Sequence, residues 1–132
     1  MGFLVVLLAA VGGFITGAVI YMSPLSRPWM IAAGIELDES GKPAKRADPK
    51  PFIISAITMI LVAGMMRHVF AMAGIEGAGK GFVAGLGVGL FMIAPWMAMN
   101  YGYAGRPRNL TLIDGLYAIA GPAVIGLILG LF

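Results

Sequence analysis

The chain has 132 residues, of which 60% are hydrophobic and only 11% are charged, and its formal net charge is +3. A soluble domain carries about a quarter charged residues, so this composition excludes a protein whose whole surface faces water. The absence of cysteine from the sequence excludes disulfides. The small positive charge lies mainly in loops, which suits orientation in a membrane better than nucleic-acid binding, so no nucleic-acid partner is expected.

Four long apolar blocks predict an all-α fold, in which four transmembrane helices form a bundle. A helix needs about 20 apolar residues to cross the hydrocarbon core of a bilayer, and each block has that length. The strict alternation that is typical of a membrane β-barrel is absent. The predicted spans are Phe3–Met22, Phe52–Gly74, Gly81–Tyr103 and Leu110–Phe132. They use most of the chain, so residues 1–132 are interpreted as a single integral membrane domain.

The first block is interpreted as a retained helix, because a signal peptide needs a basic segment before a shorter apolar run, and no Lys or Arg precedes Arg27. The loop that follows, residues 23–51, is predicted to contain a short interfacial helix that starts near Pro28 and ends at Gly34. The remaining stretch, Glu36–Pro51, is polar and contains three prolines. It is interpreted as a solvated connector, with a docking segment as the alternative.

Basic residues are distributed unequally between the loops. The first loop holds five, the third loop two (Arg106 and Arg108) and the second loop only Lys80. The positive-inside rule therefore places the first and third loops in the cytoplasm and both termini on the outer, periplasmic side. A predicted belt of aromatic residues marks the cytoplasmic boundary: Tyr21, Trp29, Trp96, Tyr101 and Tyr103.

Ionisable groups inside spans are the default functional candidates in a membrane protein. Arg67 and His68 lie ~22 Å along the second helix, toward the outer side, and Asp114 lies only ~6 Å along the fourth. Snorkelling of Arg67 to the outer headgroups is favoured over an anion site. Asp114 is expected to form a polar site near the cytoplasmic side with Asn100, Tyr101, Arg106 and Tyr117. This site is either a structural clamp between the third and fourth helices or a polar pocket that faces the cytoplasm.

Glycines four residues apart favour close packing between helices, because lipid supplies little hydrophobic drive and small residues let backbones approach. The helix-packing candidates are Gly13, Gly17, Gly81, Gly85, Gly89, Gly126 and Gly130. Two interpretations stay open: packing within one bundle, or an interface between copies through the third helix. Pro95 and the pair Gly121-Pro122 are expected to kink the third and fourth helices.

No catalytic constellation, metal signature or phosphate-binding loop is recognised, so no catalytic residue, metal or cofactor is expected. His68 is the only histidine, which excludes a haem held by two histidines of one chain. The ten methionines are interpreted as packing residues. The segment from Gly77 to Gly81 lacks the spacing and the preceding strand of a phosphate loop.

Two segments resemble a known family. One runs from Gly17 through Tyr21, Pro24 and Trp29 to Met30, and the other contains Asn100, Arg106 and Pro107, followed by Asp114 and Tyr117. These segments are similar to the small four-span bacterial membrane proteins catalogued as domain of unknown function 1761. Members often have Trp where this chain has Ile20, and Asn where it has Asp114. The resemblance implies a fold and a location in the bacterial inner membrane, and it implies no activity.

The leading hypothesis is a non-enzymatic bundle that packs in lipid with copies of itself or with a larger membrane complex. The alternative is a small transporter or channel, with a polar path near Asp114 and Asn100. A multidrug exporter of the small four-helix kind is disfavoured, because such a protein carries an essential Glu in its first helix and this first span contains no acid. A membrane enzyme ranks third, because no nucleophile lies beside a base.

The predicted orientation is testable with single cysteines, because the chain has none of its own. Cysteine at Lys45 should resist a membrane-impermeant thiol reagent in intact cells, whereas cysteine at Gly77 should react, since seven of the eight loop cations lie with Lys45. The opposite labelling pattern would reverse the orientation.

Overall fold

The computed structural model describes residues 2–45 and 48–132, so Arg46, counted above among the loop cations, lies outside the described residues. Within those ranges the chain is helical, which confirms the predicted all-α fold. The helices are α1 (Gly2–Tyr21), α2 (Ser26–Ala32), α3 (Lys50–Ala73), α4 (Ala78–Val88), α5 (Ala94–Tyr103) and α6 (Arg108–Leu131). A π-helical turn, Gly89–Ile93, joins α4 to α5.

Four helices are long and apolar enough to cross a membrane: α1, α3, the continuous helix Ala78–Tyr103, and α6. The chain is therefore a multi-pass membrane protein, and α2 is the short helix expected in the first loop. All four spans begin one to three residues before the predicted positions. The second begins at Lys50 because Pro51 fits the first turn of a helix, where a missing N–H removes no hydrogen bond.

The first loop is ordered by local hydrogen bonds. The helix α2 ends where Gly34 adopts a positive φ of 78°, and the Ile35 N–H donates to the Met30 carbonyl at 3.0 Å. In the connector, the Asp38 carboxylate accepts from the Ser40 hydroxyl at 2.5 Å and from the Lys42 N–H at 3.0 Å. The hydrogen bond from Ser40 lowers the pKa of the exposed Asp38 carboxyl.

The helix α6 lies at the centre of the bundle. It packs extensively against α4 and α1, and it also contacts α2, α5 and the π turn. The second span behaves differently: α3 packs mainly on α1 and slightly on α6, and the described residues give it no substantial contact with α4 or α5. The bundle is therefore closed on the sides where α6 meets α1 and α4, and open between α3 and the third span.

The apolar core lies between α1, α3 and α6. Its largest fully buried side chain is Ile125, which is ~16 Å along α6 from Asp114, so the core occupies the end of the bundle remote from that acid. The buried cluster consists of Val5, Val6, Ala9, Ala10, Ala63, Met66, Phe70, Ile125 and Leu129. Small residues of α1 in this cluster allow α3 and α6 to approach the same helix from two sides.

The backbones of α4 and α6 pack in direct contact. A Cβ atom on Gly81 would lie 2.1 Å from the Gly126 carbonyl oxygen, and one on Gly85 would lie 2.1 Å from the Pro122 carbonyl oxygen. The contact is reciprocal, because a Cβ on Gly126 would lie 2.2 Å from the Gly81 oxygen. Such distances leave room only for hydrogen at these positions. The glycine stripe of the third helix therefore packs against α6 of the same chain, within the bundle.

Both helices depart from regular geometry beside this contact. Pro122 has no N–H, so it cannot donate to the Ala118 carbonyl one turn earlier. Gly89 lies against that carbonyl, since a Cβ on it would be 2.4 Å from the Ala118 oxygen. On the facing helix, the π turn begins at Gly89 and ends just before Pro95, and the Ala94 N–H donates to the Gly89 carbonyl. This turn is the irregularity that accompanies Pro95 in the third span.

Replacement of single glycines tests this packing, and α4 supplies its own control. Gly85→Ala should destabilise the protein by about 1–3 kcal/mol, because the new methyl group collides with backbone that cannot rotate away. Gly87→Ala makes the same chemical change where nothing lies within 4 Å, and it should leave stability unchanged or slightly raised. Thermal unfolding of both variants in mild detergent gives the comparison. Equal midpoints for the two would contradict the contact.

Candidate functional site

The carboxylate of Asp114 is the centre of a polar cluster at the end of the bundle that carries α2. Its Oδ1 accepts from the Tyr21 hydroxyl at 2.5 Å and from the Trp29 indole N–H at 2.9 Å. Its Oδ2 accepts from the Tyr101 hydroxyl at 2.6 Å. The three donors come from α1, α2 and α5, so one side chain of α6 joins three other helices.

Local structure brings Tyr21 and Trp29 to the same point. Tyr21 is the last residue of α1, and the following turn is held by the Ser23 hydroxyl, which donates to the Ile20 carbonyl. The turn reverses the chain so that α2 lies against the start of α6, where Trp29 meets the ring of Tyr21 edge-on with centroids 5.2 Å apart. Arg106 donates to the Ala33 carbonyl at 2.9 Å, which ties the end of α2 to the loop before α6.

Tyr117 forms a second layer below Asp114. Its ring meets Tyr21 edge-on at 5.6 Å, and its hydroxyl donates to the Gly13 carbonyl at 2.9 Å. Gly17 and Gly121 give the ring its space, since a Cβ on Gly17 would lie 2.7 Å from the Tyr117 ring and one on Gly121 would lie 3.1 Å from it. The Gly13 and Gly17 pair of α1 thus forms the surface against which Tyr117 of α6 packs.

A cleft of about 660 Å³ opens between α3 and the third span, and α6 forms its floor. Its polar end contains Asp114 with Tyr21, Trp29, Tyr101 and Tyr117, and Ser55 and Thr58 also line the cleft. Its apolar walls extend toward the middle of the bundle. The described lining residues are Tyr21, Trp29, Pro51, Phe52, Ser55, Thr58, Met59, Val62, Ile93, Met97, Tyr101, Asp114, Tyr117, Ala118, Gly121, Pro122 and Ile125.

The structure brings together only part of the predicted polar site. Tyr101 bonds to Asp114 directly, and Tyr117 lies in the next layer. Asn100 is exposed, and Arg106 is directed to the end of α2 instead of to the acid. Tyr21 and Trp29 were expected in the aromatic belt, whereas their polar atoms point inward to Asp114. The sequence did contain a signal for Tyr21 and Trp29, because both lie with Pro24 in the first family-like segment. The second family-like segment contains Pro107, the residue that precedes α6.

The other ionisable residues of the spans lie elsewhere. Arg67 is partly buried beside Gly2, and it borders a cavity of about 520 Å³ together with Glu76 at the opposite end of the bundle. His68 is exposed. Neither residue lines the cleft that contains Asp114. Within residues 2–45 and 48–132, no group of three or more His, Cys, Asp or Glu side chains is placed to hold a metal ion.

Two tyrosines of α5 provide a matched test of the Asp114 cluster. Tyr101→Phe removes one hydroxyl from the carboxylate and should destabilise the protein by about 0.5–1.5 kcal/mol, the scale of one polar contact between helices. Tyr103→Phe removes the same atom from a side chain that is 88% exposed, and it should have no effect. Unfolding midpoints in detergent distinguish the two. A Tyr103 variant as unstable as the Tyr101 variant would argue against the cluster.

Comparison with known proteins gives a family without an assigned activity. No curated protein and no solved structure matches the chain. A family described as "Protein of unknown function (DUF1761)" matches over residues 4–130, which covers the four spans and the Asp114 cluster. The chain therefore belongs to the DUF1761 family.

Proposed function

We propose that the protein is a non-enzymatic accessory subunit of a larger membrane complex in the bacterial inner membrane, and that the cleft between α3 and the third span is its binding face. The observation that carries the proposal is the absence of substantial contact between α3 and the third span among the described residues. In a closed four-helix bundle each helix contacts two neighbours along its length. Here α3 has one full neighbour, α1, so one side of α3 is open to an added component.

The composition of the cleft supports a partner that lies in the membrane. Its walls are apolar over most of their length, with Val62, Ile93 and Pro122 among the lining residues. Such walls favour an apolar partner, because close packing supplies much of the attraction in lipid. The glycine stripe of the third span, which is the clearest helix-packing face in the sequence, already packs against α6. This occupation supports assembly with a different membrane component over assembly through that stripe with a second copy.

The arrangement of the polar groups supports a non-enzymatic role. The hydrogen bonds of Asp114 and Tyr117 all join one helix to another. A small transporter is the second candidate, and one observation favours it: the Asp114 carboxylate lines the cleft instead of being enclosed. Carboxylates that face a cavity within the membrane mark ion and substrate paths in many transporters.

Site-specific photocrosslinking in native membranes tests the accessory role. A photoreactive residue at Val62, which lines the cleft, should give one discrete product with a membrane protein, because the partner packs against this face. The same residue at Leu61, which is 67% exposed and lies outside the cleft, should react with lipid alone.

The mass of the product distinguishes the possible partners. A mass increase of 13.8 kDa would indicate a second copy of this chain. Any other discrete mass should be confirmed by copurification of the partner with the untagged chain. Products that are identical at Val62 and Leu61 would contradict the proposal.

A further inference from the structure

The Asp114 carboxylate has no cationic partner in its cluster. All three of its hydrogen-bond donors are neutral side chains, two tyrosines and one tryptophan. The described residues that line the cleft include no Lys, Arg or His. Arg106, in the loop before α6, donates from its guanidinium to the Ala33 carbonyl. Acidic groups within a membrane are almost always paired with other groups, so this carboxylate favours a cation supplied from outside the chain.

The carboxylate also retains capacity to accept a hydrogen bond. A carboxylate offers about four lone-pair positions, two on each oxygen. Tyr21 and Trp29 use both positions of Oδ1, whereas Tyr101 uses one position of Oδ2. One acceptor position therefore remains on the oxygen that bonds to Tyr101, in a side chain that lines the cleft.

Aromatic rings surround the same acid. Tyr21, Trp29, Tyr101 and Tyr117 all line the polar end of the cleft. The electron-rich faces of Trp and Tyr attract ammonium groups, and cages of such rings are a recurring way to bind quaternary ammonium ligands. A carboxylate among aromatic rings favours a weakly hydrated cation, because the carboxylate and the rings together compensate for the water that the cation loses on binding.

The dimensions of the cleft indicate the rest of the ligand. Its volume, about 660 Å³, lies within the ~300–1,000 Å³ range of small-molecule sites. Ser55 and Asp114 lie ~8–9 Å along their helices from the same end of the bundle, so the polar groups are at one depth. Val62 and Ile125 lie deeper. This gradient matches a molecule with a polar head and an apolar body.

We propose that the cleft binds an amphipathic organic cation, with its ammonium group on Asp114 and its apolar chain between α3 and the third span. The inference goes beyond the accessory role, because it assigns a small molecule to the interior of the cleft, whereas a protein partner would pack across its opening. It does not require that partner. An aminophospholipid headgroup and a free lipophilic amine share this chemistry.

The test uses the full purified chain in maltoside detergent. Trp96→Phe leaves Trp29 as the only tryptophan, so its fluorescence reports directly on the Asp114 cluster. Decylammonium, whose N–H groups can donate to the free acceptor position of Asp114, is the probe, and decanol is the neutral compound with the same chain. The cation should give a saturable change in emission, and decanol should give none, because the charge supplies the recognition.

Two pairs of variants locate the binding. Asp114→Asn removes the charge but can still bond to all three donors, because the Tyr101 hydroxyl can accept from the new amide; it should weaken binding by about tenfold or more. Asp48→Asn removes the same charge from the exposed connector and should bind as the parent does. Thr58→Phe should obstruct the cleft without touching the acid, and it should therefore weaken binding. Ile57→Phe lies outside the cleft and should leave binding unchanged. The Thr58 pair decides the outcome if Asp114→Asn unfolds.

The source of the ligand is distinguished by competition. Phosphatidylethanolamine added to the micelles should displace the probe if a lipid headgroup is the natural occupant, and it should have no effect if a free amine is. Equal binding of the probe to the parent and to Thr58→Phe would overturn the proposal, as would equal binding to a folded Asp114→Asn variant. A saturable response to decanol, or no saturable response to the cation, would overturn it as well.

Discussion

The need to satisfy a carboxylate within a membrane protein governs one end of this molecule. Carboxylates within membrane spans are almost always paired with other groups, and the oxygens of Asp114 find donors in the protein itself. They find them in α1, α2 and α5, all of which contact α6. The position of α2 depends on this acid, because Trp29 joins that short helix directly to α6. The same hydrogen bonds set the outline of the cleft, since their donors form its polar end.

The opposite kind of interaction dominates where α4 meets α6. There the side chains are absent, and two backbones pack against each other at Gly81, Gly85 and Gly126. The π turn lies between this contact and Tyr101. A π turn adds one residue to a helix, which rotates everything beyond it by about 100° relative to a regular α-helix. The third span therefore presents glycines to α6 in its first half and Tyr101 to Asp114 in its second half. The irregular turn between the halves lets one helix make both contacts.

Sequence reasoning found what depends on local pattern and missed what depends on rotation of helices about their axes. The spans follow from runs of apolar residues, and α2 follows from Pro28 and Gly34. Tyr101 was found because it lies close to Asp114 in depth. Tyr21 and Trp29 were interpreted as belt residues because an amphipathic ring satisfies its polar atom equally well at a headgroup or at a buried acid. The glycine stripe identified a packing face, but small residues do not specify which helix packs against them.

The central place of α6 has a consequence for the order in which the molecule can assemble. Membrane helices insert first and associate afterwards. Among the earlier spans, α1 and α3 form the main direct contact, so a nascent chain has a single helix pair until its final span enters the bilayer. Until then Tyr21, Trp29 and Tyr101 lack their shared acceptor, and the bare glycine surface of α4 faces lipid. Such an intermediate exposes unpaired polar side chains and a bare glycine surface, which are features that chaperones and proteases of the membrane can recognise. Packing of α6 covers both features and completes the fold.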